Sequence, residues 1–120
     1  MADKLLVKVT AGADAPERCN QAFTVAAAAV TAGARVSLWL TGEAAWFAVP
    51  GRADTFVLEG ATPLQDLLDI ALGSGTVTVC TQCAERRNIE EPDVIPGVRF
   101  AGAATFVEEA LTEGTQALVY

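Results

Sequence analysis

Val77-Thr-Val-Cys80-Thr-Gln-Cys83-Ala-Glu-Arg86-Arg87-Asn-Ile89 changes character at its first cysteine. Thr76 to Val79 is a β-branched, apolar run that predicts a buried strand. Thr81 to Arg87 is polar and predicts one or two helical turns. A strand that ends on Cys80 and passes straight into a helix belongs to an alternating β-α chain. In such chains the functional edge of the sheet lies at the C-terminal ends of the strands.

The flanking sequence extends the alternation. Lys4 to Val9 and Ala34 to Leu40 predict two strands before this one. Between them Asp14 is a candidate cap for a helix from Pro16 to about Ala32, where Gly33 stops it. Phe23, Ala26, Ala27 and Val30 share its inner face. Glu43 to Val49 predicts a short helix carrying Trp46 and Phe47, and Phe56 to Leu58 an extended piece. Thr62 can cap a helix from Pro63 to Leu72. Beyond the cysteines, Val98 to Phe100 and Gln116 to Tyr120 predict strands. They flank a helix, Ala103 to Thr112, expected to turn Phe106, Val107, Ala110 and Leu111 inward and Glu108, Glu109 and Glu113 to water. The order implies one α/β domain spanning 1–120, with a mostly parallel five-stranded sheet and helices on both faces. Four segments leave the C-terminal edge: Thr10–Pro16, Thr41–Val49, Cys80–Arg87 and Ala101–Ala103.

Composition narrows the function classes. The 120 residues are 52% apolar with a net charge of −7, which excludes a disordered chain. Eight basic residues against 15 acidic ones argue against nucleic acid as a partner. The mean hydropathy of +0.34 is high for a lone small domain and points to strands buried on both faces, to a subunit contact, or to both. Histidine is absent, which removes Ser-His-Asp and Cys-His chemistry. The alanine-rich stretch from Cys19 to Ala34 is too short and polar to span a bilayer, and Asp14 and Glu17 stand where a signal peptide would carry basic residues. Three cysteines do not suit a secreted disulfide scaffold. A cytoplasmic chain with no membrane partner is expected.

Chemistry therefore rests on Cys80 and Cys83. A cysteine at a strand end meets the unpaired N–H groups that open the next helix, and these favour thiolate. Cys83, three residues on, can hydrogen-bond that thiolate or resolve a mixed disulfide or persulfide on it. The candidate anion-stabilising residues are Thr81, Gln82 and Arg86, with Gly12 in the first β-α loop. Gly12 lacks the G-x-G-x-x-G context of a nucleotide site. The competing reading is two small residues packing at a strand end. Two cysteines make half a zinc site and too few ligands for an iron–sulfur cluster, so no metal or cofactor is expected. Cys19 either faces Cys80 or is a buried helix residue. Trp39, Trp46 and Phe47 suit a lid, an interface or the core, and Glu90, Glu91 and Asp93 a solvated loop.

The stretch from Val77 to Ile89, with Ile95-Pro-Gly97-Val98 and the ending Ala117-Leu-Val-Tyr120, resembles the DsrE/DsrF-like sulfur-relay family, and is most similar to its small YchN-like members. The resemblance implies a three-layer α/β/α sandwich. It implies homo-oligomers, trimers or hexamers, and exchange with sulfur donor and acceptor proteins. In the relay branch the cysteine matching Cys80 accepts sulfane sulfur as a persulfide. Cys83 matches the second cysteine of the YchN-like C-x-x-C and departs from the relay branch. The expected function is a sulfur carrier acting through Cys80. A Cys80–Cys83 redox pair and a non-catalytic oligomeric module are the alternatives.

Overall fold

The computed structural model describes residues 3–120. Five strands form it: β1 (Lys4–Val9), β2 (Arg35–Leu40), β3 (Thr76–Cys80), β4 (Arg99–Ala101) and β5 (Thr115–Val119). Four α-helices connect them: α1 (Pro16–Thr31), α2 (Leu64–Ser74), α3 (Thr81–Arg86) and α4 (Ala103–Leu111). All neighbouring strands run parallel, in the order β4-β3-β2-β1-β5. The α/β reading and its five-stranded parallel sheet are thus observed.

Alternation along the strands gives the two sheet faces opposite characters. Val7, Val9, Val36, Leu38, Leu40, Val77 and Val79 pack with Phe23, Ala26 and Ala27 of α1 and Leu64, Leu67, Leu68 and Ala71 of α2. The small alanines let α1 lie close to the sheet. The register Lys8–Trp39–Thr78 defines the other face, where Lys4, Leu6, Lys8, Ser37, Trp39, Thr78, Cys80 and Arg99 stand. Helix α4 covers it. The chain must return from β4 at one sheet edge to β5 at the other, so α4 belongs to a connection that spans the sheet.

That polar face overturns the expected orientation of α4. Val107 is 51% and Leu111 80% exposed. Phe106 turns in to meet Trp39 edge to face, with ring centroids 5.3 Å apart. Glu109, expected in water, is also turned in, its side chain only 13% exposed. Ser37 Oγ donates to its Oε1 at 2.6 Å, Trp39 Nε1 contacts the same oxygen at 3.5 Å, and Arg99 pairs with its Oε2. Lys4 Nζ lies 3.6 Å from Oε1. A sheet face carrying three cations selects a carboxylate over another aliphatic side chain.

Local punctuation differs in three places. Asp14 does not cap α1; its Oδ1 accepts the Gly12 N–H at 2.8 Å. Helix α2 starts at Leu64 after Pro63, with no side-chain cap from Thr62. Residues Gly42–Ala48 form a 3₁₀ segment in place of the short helix expected over Glu43 to Val49, while Phe56 is extended as expected, outside any strand. Phe47 packs there between Phe23 and Phe56, at centroid distances of 5.9 and 5.7 Å, while Arg52 lies over Trp46 at 4.2 Å.

Candidate functional site

Strand β3 passes into α3 with no loop, and Cys80 is the residue at the joint. Its extended backbone (φ −63°, ψ 124°) ends the strand while its carbonyl edge opens the helix. The first N–H groups of a helix have no partner within it, so they face the residue before it. Burial raises the Cys80 pKa, but the N–H and thiol of Cys83, the N–H of Gln82 and the charge of Lys8 outweigh it and hold Cys80 below the ordinary thiol value.

Cys83 is the complementary partner. Burial and the neighbouring Cys80 sulfur push its thiol up, against the Gly42 N–H and the Arg87 charge. Gly42 donates its N–H to Cys83 Sγ at 3.2 Å. That donor depends on glycine: φ is +52°, and a Cβ would stand 2.5 Å from the Thr10 carbonyl oxygen. Arg87 closes the arrangement, its Nη1 3.0 Å from the Cys83 carbonyl and its Nη2 2.8 Å from Glu43 Oε2. Asn88, at φ 56°, ends the helix, a conformation asparagine tolerates better than most residues. The two cysteines are free thiols, each half-buried.

Cys80 opens into a cavity of about 360 Å³. Trp39, Phe106, Val107 and Ala103 give it apolar walls, and Lys8, Thr41, Gln82 and Gly102 complete the lining. A second hollow, of about 380 Å³ beside Trp46 and Arg52, contains none of the three cysteines.

Of the sequence candidates, the structure brings together Cys80, Cys83 and Gln82. Thr81 is the first residue of α3 and stands outside the cavity lining. Arg86 is exposed and makes no ion pair or hydrogen bond among the described residues; Lys8 and Arg87 are the cations that act on the two sulfurs. Gly12 has a different purpose from the one expected: its N–H is given to Asp14, and a Cβ there would meet the Glu43 carbonyl oxygen at 2.8 Å. It lets the first β-α loop touch the 3₁₀ segment that carries Gly42 and Glu43. Cys19 is fully buried, and burial together with Asp14 pushes its thiol up to about 12. It takes no part in the cavity. Sequence reasoning does not single out Lys8 or Gly42 for the site, and it reads Phe106 only as an inward-facing residue and Glu109 as a solvent-facing one. Lys8 alone left a usable signal, because Lys4, Leu6 and Lys8 alternate onto the face that Cys80 occupies. Among the described residues no group of three or more Cys, Asp or Glu side chains is placed to hold a metal ion.

The family model described as DsrE/DsrF-like matches residues 3–119. No curated protein matches the chain. Among solved structures, the crystal structure of the ychN protein from E. coli is similar with a TM-score of 0.80 at 19% identity, over 100% of each chain. An identity that low speaks for the fold.

Proposed function

The chain belongs to the DsrE/DsrF-like family, and from that premise we propose that it carries sulfane sulfur as a persulfide on Cys80. The observation that supports this is the joint of β3 and α3. Two backbone N–H groups and the Cys83 thiol favour a thiolate at Cys80, at the mouth of a cavity open to a small donor. The thiolate is the nucleophile in sulfur exchange.

The step balances without an external oxidant. The Cys80 thiolate attacks the outer sulfur of a donor R–S–SH. The donor S–S bond breaks, its electron pair leaves on R–S⁻, and Cys80–S–SH forms. Transfer to an acceptor thiolate is the same step with the roles exchanged.

The test is intact mass after incubation with a sulfane-sulfur donor. The expected result is a gain of about 32 Da, the persulfide sulfur, lost in Cys80→Ser. Absence of a Cys80-dependent adduct would overturn the reading. The influence of each thiol on the other's pKa also favours a dithiol redox role. Cys83→Ala separates the two: it abolishes a Cys80–Cys83 disulfide and leaves the persulfide adduct.

Two further readings accompany this one. Val107, Leu111 and Val119 are exposed on the α4–β5 side and support a homo-oligomer, which light scattering would report as a multiple of 12.5 kDa. Three free thiols suit the reducing cytoplasm, and no described helix is long and apolar enough to cross a membrane.

A further inference from the structure

We infer that Lys8 is the anion-recognition residue of the Cys80 cavity, so that the site selects a small sulfur donor carrying a negative charge. The inference rests on Cys80 being the reactive sulfur.

Lys8 and Cys80 project from the same sheet face. The register runs Lys8, Trp39, Thr78 across β1, β2 and β3, and Cys80 is two residues beyond Thr78. By ordinary strand spacings the two positions are about 10 Å apart across the sheet and about 7 Å along it. The lysine stem reaches over Phe106, its Nζ 5.0 Å from the ring centroid. Trp39 and Phe106 thus form a floor with a cation on one side and the cysteine on the other.

The chain has 15 acidic residues for 8 basic ones. Lys4, Arg35, Arg87 and Arg99 all hold carboxylates. Four of the eight basic side chains, Lys8, Arg18, Arg52 and Arg86, hold no carboxylate among the described residues, and of these only Lys8 lines the Cys80 cavity. No carboxylate lines that cavity. In so acidic a chain, a half-buried cation facing a ring and a thiol is available to an incoming anion. The cavity, about 360 Å³, is at the small end of ligand sites. It suits a compact donor with an apolar part against Trp39 and a charge on Nζ. A thiolate approached by an anionic donor brings two like charges together, and Lys8 offsets that repulsion.

The experiment compares alkylation of Cys80 by iodoacetate, an anion, and by iodoacetamide, its neutral counterpart, in the full chain. Dividing one rate by the other cancels any change in the thiolate fraction. Lys8→Met keeps the stem over Phe106 and removes the charge. The expected result is an iodoacetate-to-iodoacetamide ratio at least about fivefold lower than wild type, from the attraction of unit charges a few ångströms apart even in water. Lys8→Arg should retain the wild-type ratio, and added salt should lower it. Lys8→Gln is the second neutral variant if the first does not fold. Equal slowing of both reagents would overturn the inference, because Lys8 would then act only on the thiolate population. The persulfide reading fails separately, through a wild-type chain that takes up no sulfur while its alkylation ratio still follows Lys8.

Discussion

Glu109 ties α4 to the sheet, and its removal has a cost that can be worked out from its partners. In Glu109→Ala the hydroxyl of Ser37, 2% exposed, loses its acceptor. A buried donor left unpaired costs about 1–3 kcal/mol. Arg99 and Lys4 lose their carboxylate too, but their side chains are 40% and 22% exposed, so water repays most of that loss and each contributes about 0.5 kcal/mol. The sum is about 3 kcal/mol. Glu109→Gln keeps an oxygen for Ser37 and loses only the charge, for about 1 kcal/mol. Urea unfolding at fixed protein concentration, followed by tryptophan fluorescence, measures both. The pH dependence identifies the cause. Burial disfavours the Glu109 carboxylate, but Ser37, Arg99 and Trp39 outweigh burial and hold its pKa below the ordinary 4.5. The folded state thus binds this proton less tightly than the unfolded chain. The stabilisation is present above pH 4.5 and is lost as pH falls through the lower folded value. Asp3, held low by Arg35, titrates in both proteins and cancels from the difference. The gap between wild type and Glu109→Gln should therefore shrink in acid. A gap that is the same at neutral pH and at about pH 3, or two variants within about 0.5 kcal/mol of wild type, would refute the account.

Two other perturbations reach the sulfur site. Cys83→Ala removes a hydrogen-bond donor to Cys80, so the pH at which iodoacetamide reactivity rises should move up toward the ordinary thiol value of 9.0; an unmoved inflection would deny Cys83 that role. Gly42→Ala forces a side chain into a left-handed backbone and against the Thr10 carbonyl, and should cost about 2–4 kcal/mol in urea unfolding; a near-neutral result would mean that the 3₁₀ segment shifts freely.

The succession of strands and helices along the chain and the cysteine joint were legible because they depend on local pattern. Short apolar runs mark β1, β2 and β3, with Gly33 and Gly42 near the ends of β2 and Gly75 just before β3, and Cys80 needs only its neighbours to stand at a strand end. What escaped the reading depends on register. Arg86 is near Cys80 in sequence, yet the helix turns it outward, whereas Lys8, 72 residues away, shares the sheet face. Glu109 was assigned to water because α4 was assumed to cover an apolar surface. The alternation that places Lys4, Lys8 and Arg99 beneath it was present in the strands, but only the pairing of β1, β2, β3 and β4 joins those residues into one surface. Gly42 carries no local signal of its role, since its partner, Cys83, is 41 residues on.

The environments of the three thiols give each a different part to play on the proposed reading. Cys19, pushed up to about 12 inside the core, holds its proton and packs. Cys83, raised by burial and by the neighbouring sulfur, also keeps its proton and donates it toward Cys80. Cys80 alone is lowered. Neighbouring titratable groups with pKa values pushed apart suit the roles of donor and nucleophile, and on the proposed reading Cys80 is the attacking sulfur and Cys83 its proton-holding neighbour. Loading then moves the charge. In a Cys80 persulfide the ionised sulfur is the outer one, about 2 Å beyond Sγ. The N–H groups of Gln82 and Cys83 are placed for Sγ at the helix joint, so they serve the thiolate better than the persulfide. The charged group on the cavity wall is Lys8. On the proposed reading, the donors of α3 prepare Cys80 to attack, and Lys8 receives the anionic donor and then faces the charge that the transferred sulfur carries.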